Sequence, residues 1–219
     1  MKGQAIQTRV LSAQIIPNAD KLLLERLNVP EGYVSLGLIT TDSDDVSYAA
    51  LDEATKKAQV TVVYAKSMYA GAPNASTLLQ GEFIGILAAK DPSEVRSGLD
   101  AAINFIENVG HFYFANDSDT VMYFAELISQ TGTYLSKVAG VPVGTPMAYL
   151  IAPPMEAMMG LDAAVKAAAV EISTFYGPPT ETNFAGGLLT GDQAACKVAC
   201  ETFASTVCKI AETPVDINE

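Results

Sequence analysis

An internal repeat constrains this sequence more than any other feature. A strand-helix-strand pattern runs from residue 35 to residue 71, SLGLITTDSDDVSYAALDEATKKAQVTVVYAKSMYAG, and a second version starts near Met147 with MAYLIAPPMEAMMGLDAAVKAAAVEISTFYG. In both, an apolar run ends in an acidic or proline turn, and an Ala-rich helix carries a Leu-Asp pair, Leu51-Asp52 and Leu161-Asp162. Such repetition predicts one domain duplicated in tandem. We place the two domains at residues 1–109 and 110–219.

Hydrophobic periodicity predicts the order β-α-β-α-β-β-α in each half. In the first half we expect helices that begin at Asn18, at Asp42 or Ser43, and at Asp91. In the second half the first helix is expected from about Ser118, with its inward side chains at helical spacing: Val121, Phe124, Ala125 and Ile128. This order predicts an α+β fold of two tandem ferredoxin-like domains, each a mixed sheet with helices packed on it.

Composition and charge exclude several classes of function. The 219 residues are 49% hydrophobic, but no apolar run approaches the ~20 residues that span a bilayer, so we expect no membrane partner. The start, MKGQAIQTRV, lacks the features of a secretory signal, which predicts a cytoplasmic protein. A net charge of −12 argues against binding nucleic acid and favours cations. The high apolar content predicts association with further copies of the chain.

The sequence carries no motif typical of an enzyme, a cofactor site or a metal site. His111 is the sole histidine, and its aromatic surroundings favour a packed or interface role over a metal ligand. Cys196, Cys200 and Cys208 lie in one predicted helix, which indicates buried free thiols and not a disulfide framework. We therefore predict no catalytic residue, no cofactor and no metal.

Acidic residues form the most informative polar pattern. Asp42, Asp44 and Asp45 cluster at one strand-helix turn, Glu82 opens a strand, and Glu181 lies in the corresponding second loop. One interpretation is helix capping with solvated charge, which we favour for Asp42 alone. The other is a crevice between the two halves that offers carboxylates without a nucleophile or a base partner, which would bind a cation and not catalyse a reaction.

Several long segments resemble a known family. These are SLGLITTDSDDVSYAALDEATKKAQVTVVYAKSMYAGAPNAST, SEVRSGLDAAINFIEN, AYLIAPPMEAM and PPTETNFAGGLLTGDQAACKVAC. They are similar to bacterial microcompartment (BMC) shell proteins of ethanolamine utilisation, in their tandem, circularly permuted form. The resemblance implies a structural protein of the shell, not an enzyme, that forms a homotrimeric, pseudohexameric tile and packs edge to edge with other shell proteins.

The resemblance also implies two kinds of pore. A central pore on the three-fold axis would be gated by loops, with the residues Tyr69, Ala70, Gly71 and Ala72. Smaller pores where the two domains meet would bind ethanolamine through Asp44, Asp45, Glu82, Phe112, Glu181, Thr182 and Asn183. Two alternatives stay open: a small-molecule-binding regulatory protein built on paired ferredoxin-like domains, and an enzyme whose active site forms between subunits.

Overall fold

Two antiparallel sheets with helices packed on them make up the structure, a computed structural model that describes residues 1–68 and 82–216. The chain divides into two units. The N-terminal unit comprises Thr8–Gly110 with Gly132–Leu135, and the C-terminal unit comprises Met1–Gln7, His111–Thr131 and Ser136–Glu219. Met1–Gln7 thus belongs to the C-terminal unit and Gly132–Leu135 to the N-terminal unit. The domain boundary itself stays a prediction.

The N-terminal unit is a four-stranded sheet with three helices. Its strands are β2 (Val10–Ile16), β3 (Ser35–Thr41), β4 (Thr61–Ser67) and β5 (Phe83–Ala89), in the order β2-β3-β5-β4. Its helices are α1 (Lys21–Arg26), α2 (Asp44–Lys57) and α3 (Pro92–Asn108). Strand β5 lies between β3 and β4, which are joined through α2, so the strand-helix-strand unit is split. This arrangement places the end of β3, the start of α2 and the start of β5 beside one another.

The C-terminal unit repeats this arrangement within a six-stranded sheet. The strands are β1 (Ala5–Ile6), β6 (Phe112–Phe114), β7 (Met122–Ile128), β8 (Met147–Ala152), β9 (Val170–Tyr176) and β10 (Ala185–Gly191). Their order is β1-β6-β7-β8-β10-β9. Helices α5 (Pro154–Ala167) and α6 (Gln193–Glu212) pack together over this sheet, while α4 (Thr133–Ala139) is divided between the two units. Here β10 separates β8 from β9, as β5 separates β3 from β4.

The predicted α+β class is confirmed. Every strand pairing among residues 1–68 and 82–216 is antiparallel. The sheets that were predicted as mixed therefore contain only antiparallel pairs in this part of the chain. The reason is the split strand-helix-strand unit, because the two strands that run in the same direction are separated by a third that runs against them. In that described part of the chain, no helix is both long and apolar enough to cross a membrane.

The helix predicted from Ser118 is wrong. Residues Met122–Ile128 form strand β7, and helix α4 begins only at Thr133. The apolar residues at helical spacing also fit a strand, because Phe124 and Ile128 are buried on one face of β7 while Val121 and Ala125 pack on the core on the other side. Aromatic side chains in this segment favour a strand. Pairing with β8 stabilises it.

One of the predicted helix caps differs from the structure. Helix α1 is capped by Asp20 and not by Asn18, since the Asp20 carboxylate accepts the Leu22 N–H at 2.8 Å. Helix α2 has Ser43, one of the two predicted residues, at its N-cap position, although the Ser43 side chain makes no capping bond. The predicted cap of α3 is confirmed, because Asp91 accepts N–H groups from Ser93 and Glu94 at 2.9 and 3.1 Å.

The two Leu-Asp pairs have different roles. Asp52 is fully buried, and its carboxylate accepts the N–H of Gly132 at 2.7 Å and that of Leu135 at 2.8 Å. It thereby satisfies two backbone donors at the start of α4 from the side of α2. Burial raises the pKa of Asp52, and these two N–H bonds act in the opposite direction. Asp162, by contrast, is exposed and pairs with Lys166 at 2.6 Å on the surface of α5.

The prediction of buried free thiols is confirmed for Cys196 and Cys200, whereas Cys208 is half-buried. Cys196, Ala199, Cys200, Phe203 and Val207 are all buried against the sheet of the C-terminal unit. Burial raises the pKa of Cys196 and raises that of Cys200 to about 12, so both are protonated thiols at neutral pH. They belong to the apolar core together with side chains of β8, β10 and α5.

Candidate functional site

Four carboxyl groups of the N-terminal unit meet where β3 leads into α2, and we call Asp42, Asp44, Asp45 and Glu82 the acidic cluster. Strand β3 ends at Thr41, and α2 begins at Asp44. Asp44 and Asp45 occupy the first turn of α2, where the helix dipole favours negative charge. Their side chains are only 8% and 7% exposed, so these are not solvated surface carboxylates.

The backbone at this turn is fixed by hydroxyl groups. The carbonyl oxygen of Ser43 accepts hydrogen bonds from the Thr41 hydroxyl at 2.9 Å and from the Ser47 hydroxyl at 2.7 Å. The Asp45 N–H donates to the Asp44 carboxylate at 2.9 Å. These short local bonds define the direction in which the first turn of α2 presents its carboxylates.

Asp42 has a partner of opposite charge. Its carboxylate accepts the backbone N–H and the Nε–H of Arg9, both at 2.7 Å. The expectation that Asp42 acts as a helix cap is therefore wrong, because Asp42 precedes the N-cap residue and pairs instead with the chain before β2. Arg9 offsets one of the four negative charges.

Glu82 enters the cluster through strand pairing. Its N–H donates to the carbonyl oxygen of Thr41, and its own carbonyl accepts the N–H of Met68, both at 2.7 Å. The side chain is half-buried. Burial raises the pKa of Glu82 to about 7, and the negative charges of Asp44 and Asp42 add to that shift.

Tyr48 borders the cluster and was not identified from the sequence. It lies one helical turn beyond Asp44, and its hydroxyl shares a 2.8 Å hydrogen bond with the hydroxyl of Ser67. Its ring packs edge-on against Phe83, with centroids 5.0 Å apart. Burial raises the pKa of Tyr48 to about 12, so the phenol stays neutral. The i, i+4 spacing from Asp44 was the signal in the sequence that could have found it.

The predicted site residues of the second half lie in the C-terminal unit. Phe112 is buried and stacks on Phe124 at 5.4 Å, and it contacts Phe184 edge-on at 5.9 Å. Phe184 closes the loop that carries Glu181, Thr182 and Asn183, since its carbonyl oxygen accepts the Thr180 N–H at 3.0 Å. Glu181 and Asn183 are exposed and Thr182 is half-buried.

Asn183 has a left-handed backbone conformation, with φ of +66°, and its N–H donates to the Thr180 carbonyl at 3.1 Å. Asparagine is among the residues that adopt this conformation most readily. The loop is therefore closed by its own backbone bonds. The structure thus brings Asp44, Asp45 and Glu82 together in one unit and joins Phe112 to the loop of residues 181–183 in the other.

The proposed gating residues Tyr69, Ala70, Gly71 and Ala72 lie outside the described residues, so their role stays a prediction. His111 is half-buried, and in the described part of the chain its Nδ1 atom has no hydrogen-bond partner. No group of three or more His, Cys, Asp or Glu side chains among residues 1–68 and 82–216 is arranged to hold a metal ion.

Chemically, the acidic cluster suits a small organic cation. It combines buried carboxylates, a helix start and a neutral phenol, and an ammonium group donates hydrogen bonds that carboxylates accept strongly. The cluster contains no cysteine, serine or histidine arranged as a nucleophile with its base.

Comparisons with known proteins find relatives that match nearly the whole chain. The BMC domain family matches residues 35–116. The bacterial microcompartment shell protein EutL of Clostridium perfringens is 56% identical over 98% of this chain and 99% of its own length, and that of Salmonella typhimurium is 48% identical over 96% of each. The crystal structure of the ethanolamine utilization protein EutL from Leptotrichia buccalis superposes with a TM-score of 0.96 at 56% identity, covering 99% of this chain and 100% of the other.

Proposed function

Because this chain belongs to the EutL-type family of bacterial microcompartment shell proteins, we propose that it forms a homotrimeric tile whose acidic small pores bind ethanolamine. Membership makes the chain a structural protein of the shell, where it assembles with other shell proteins. The prediction of a shell protein and not an enzyme is confirmed by the names of these relatives. The same names favour the shell over the alternative of a regulatory protein.

The trimer is supported by the duplication. A chain that carries two copies of a domain needs three chains to close a ring of six domains. Exposed apolar side chains supply surface for such contacts: in the C-terminal unit Val143, Met155, Met159 and Phe175 are 64%, 67%, 53% and 56% exposed. Native mass measurement should give three chains per particle, and electron microscopy at high concentration should show flat arrays. A monomer or a dimer under every condition would contradict the proposal.

The observation that carries the ligand proposal is the burial of Asp44 and Asp45 beside Glu82. Ethanolamine is a cation near neutral pH, so its ammonium group is attracted by these carboxylates and by the net charge of −12. Phe112, Glu181, Thr182 and Asn183 stay predicted from the resemblance alone. Neutral and anionic metabolites gain nothing from such a site.

The expected affinity is modest. Each charge-assisted hydrogen bond contributes roughly 1.5–3 kcal/mol before the cost of ordering the ligand, and a small ligand makes few of them. This range corresponds to binding between about millimolar and about micromolar. A pore must also release what it binds, so weak affinity suits the proposed passage.

Calorimetric titration of ethanolamine tests the proposal. Asp45→Asn removes one buried charge of the acidic cluster and should weaken binding by about tenfold or more. Asp100→Asn is the matched control, because Asp100 is exposed on α3 and lies outside the cluster. Equal affinity of the wild-type protein and Asp45→Asn, or no binding to the wild-type protein at tens of millimolar, would contradict the proposed site.

The gated central pore is proposed on the resemblance alone. Tyr69 is the bulkiest of the four proposed gating residues, followed in sequence by Ala70, Gly71 and Ala72. Tyr69→Ala should keep the trimer mass and enlarge the opening on the axis in electron-microscopic maps. An unchanged axis would exclude Tyr69 as the plug.

A further inference from the structure

Strand β2 leaves one edge of the four-stranded sheet open. In the part of the chain that the structure describes, β2 pairs with β3 on one side and with no strand on the other. Its sequence, VLSAQII, contains no charged residue and no proline, which are features that keep many edge strands from pairing with another chain. Ser12 and Gln14 on this strand are exposed. The outward backbone groups of β2 are therefore accessible to a further strand.

The other edges of the two sheets are better protected. Among residues 1–68 and 82–216, the edge strand β4 carries Lys66 and the edge strand β9 carries Glu171. The fourth edge strand, β1, consists of two residues, and such a short strand offers little backbone for pairing. Of these four edges, β2 is thus the one whose length and composition suit the addition of a strand.

The C-terminal unit has an additional strand at the corresponding edge. Its strands β7, β8, β10 and β9 follow one another in the same order as β2, β3, β5 and β4. Strand β6 pairs antiparallel with the start of β7, with Tyr113 opposite Tyr123 and Phe114 opposite Met122. An antiparallel strand at this edge is therefore compatible with the fold, and the described residues of the N-terminal unit do not supply one.

A groove of about 470 Å³ lies beside the free edge, between β2 and α3. Ile15, Leu99 and Ile103 give it an apolar lining, and the exposed residues Arg96 and Asp100 add one charge of each sign. Its lining on α3 extends from residue 92 to residue 103, which corresponds to about 16 Å along the helix axis. An extended segment of about five residues has the same length.

Arg96 and Asp100 set the side chains that this groove can select. They lie four residues apart on α3, so about 6 Å separates them along the helix axis. In the described part of the chain, neither forms an ion pair with the other or with a third residue. Side chains on one face of an extended segment are two residues and about 6.8 Å apart. An acidic and a basic side chain at that spacing can therefore pair with both residues.

The direction of such a segment follows from the topology. Strands β2 and β5 both pair antiparallel with β3, so they run in the same direction. Helix α3 follows β5 after a short turn and packs back over it, so it runs against β2. A strand added antiparallel to β2 runs parallel to α3 and meets Arg96 before Asp100. Its acidic residue must then precede its basic residue.

We propose that β2 accepts an extended segment of a partner protein as an additional antiparallel strand, with an acidic side chain paired to Arg96 and a basic side chain, two residues later, paired to Asp100. Backbone hydrogen bonds to β2 supply the affinity, and the groove selects the side chains that face α3. This surface does not include the acidic cluster, so the inference goes beyond the proposed function and does not depend on ethanolamine binding.

Fluorescence anisotropy with the full chain tests the proposal. The probe is fluorescein-labelled Ser-Thr-Glu-Thr-Lys-Thr-Val-amide, and the Glu and Lys exchange places in the comparison peptide. The wild-type protein should bind the probe about fivefold or more tightly, because the probe makes two exposed ion pairs where the comparison peptide makes two like-charge contacts. Arg96→Asp combined with Asp100→Arg should reverse this preference. Lys21→Glu with Glu25→Lys, which exchanges another exposed i, i+4 pair of the same unit, should leave it unchanged.

Hydrogen exchange of the same complex tests the strand addition. The outward-facing amides of β2 should exchange more slowly with the probe bound, and the amides of β4, at the opposite edge of the sheet, should not change. Equal affinity for the two peptides, no binding at millimolar peptide, or a preference without protection of β2 would each overturn the proposal. Protection of the outward-facing β2 amides in the assembled protein before peptide is added would also overturn it, because another copy of the chain would then occupy this edge.

Discussion

Replacing Asp52 with alanine is expected to destabilise the N-terminal unit strongly. The substitution removes the only carboxylate that bonds the Gly132 and Leu135 N–H groups within the described part of the chain, at 2.7 and 2.8 Å. Both bonds are buried, so water cannot replace the lost acceptor without opening the contact between α2 and the start of α4. Because the side chain removed is small, the cost of leaving two N–H groups without an acceptor exceeds the cost of the lost packing.

The magnitude can be worked from these contacts. An unsatisfied buried donor costs about 1–3 kcal/mol, which gives about 2–6 kcal/mol for two donors. Burial already raises the pKa of Asp52, which means that the folded chain bears a cost for the charged form, and alanine relieves that cost. We therefore expect a net loss of about 2–4 kcal/mol in the free energy of unfolding.

Urea unfolding followed by circular dichroism at pH 7 measures this loss, at one protein concentration because association also stabilises the folded chain. Asp162→Ala is the matched control, since Asp162 is the corresponding residue of the second Leu-Asp pair but lies on the surface with Lys166. An exposed i, i+4 pair contributes only about 0.3–0.5 kcal/mol. Similar losses for Asp52→Ala and Asp162→Ala would refute the reasoning, because they would mean that burial and the two backbone bonds add nothing.

Three further predictions concern stability. Folding raises the pKa of Glu82 from 4.5 to about 7, mainly because burial disfavours its charged form, so the wild-type protein should lose stability as pH rises from 4.5 through 7. The full shift would correspond to about 3 kcal/mol, and solvent screening of this half-exposed group reduces the expected fall to about 1–2 kcal/mol. In urea titrations Glu82→Gln should abolish this fall, and an unchanged fall would assign it to other groups. Gly132→Ala would place its Cβ 2.2 Å from the Thr55 hydroxyl and 2.6 Å from the Asp52 carbonyl oxygen, so it should lower the thermal unfolding midpoint. Gly177→Ala is the control, because its Cβ meets nothing nearer than 3.3 Å, and its midpoint should stay well above that of Gly132→Ala. Asp91→Ala removes the side-chain cap of α3 and should lower the free energy of unfolding clearly more than Ser43→Ala, which changes a cap position without a side-chain bond. Equal losses in the two variants would contradict the cap assignment.

Segments whose apolar residues follow a single clear spacing, either that of a helix or that of a strand, were predicted correctly from the sequence. The strand-helix-strand patterns predicted from residue 35 and from near Met147 are observed as β3-α2-β4 and β8-α5-β9, and α3 follows its predicted Asp91 cap, because local apolar spacing and capping act within a few residues. The repeat also predicted that both halves share a strand-helix-strand order. The family resemblance added the shell function, which no local pattern contains.

Segments whose spacing fits both a helix and a strand were decided by tertiary contacts. Val121–Ile128 fits both periods, and its pairing with β8 selects the strand. Ala5–Ile6 carries too few residues for any pattern, yet it pairs with Phe112 and Tyr113 more than 100 residues away. The intrinsic strand propensity of a residue contributes little compared with such pairing. Reasoning from a single sequence therefore cannot predict strands that depend on partners far away in the chain.

The candidate site shows the same division. The sequence by itself determined that Asp44 and Asp45 begin a helix, and that no nucleophile or metal-binding motif accompanies them. Only the tertiary structure decided that Asp42 pairs with Arg9, that Asp52 is buried while Asp162 is not, and that Glu82 faces two carboxylates. Charge is a property of the residue, but burial and neighbours set its pKa, and these depend on strands that meet from distant parts of the chain.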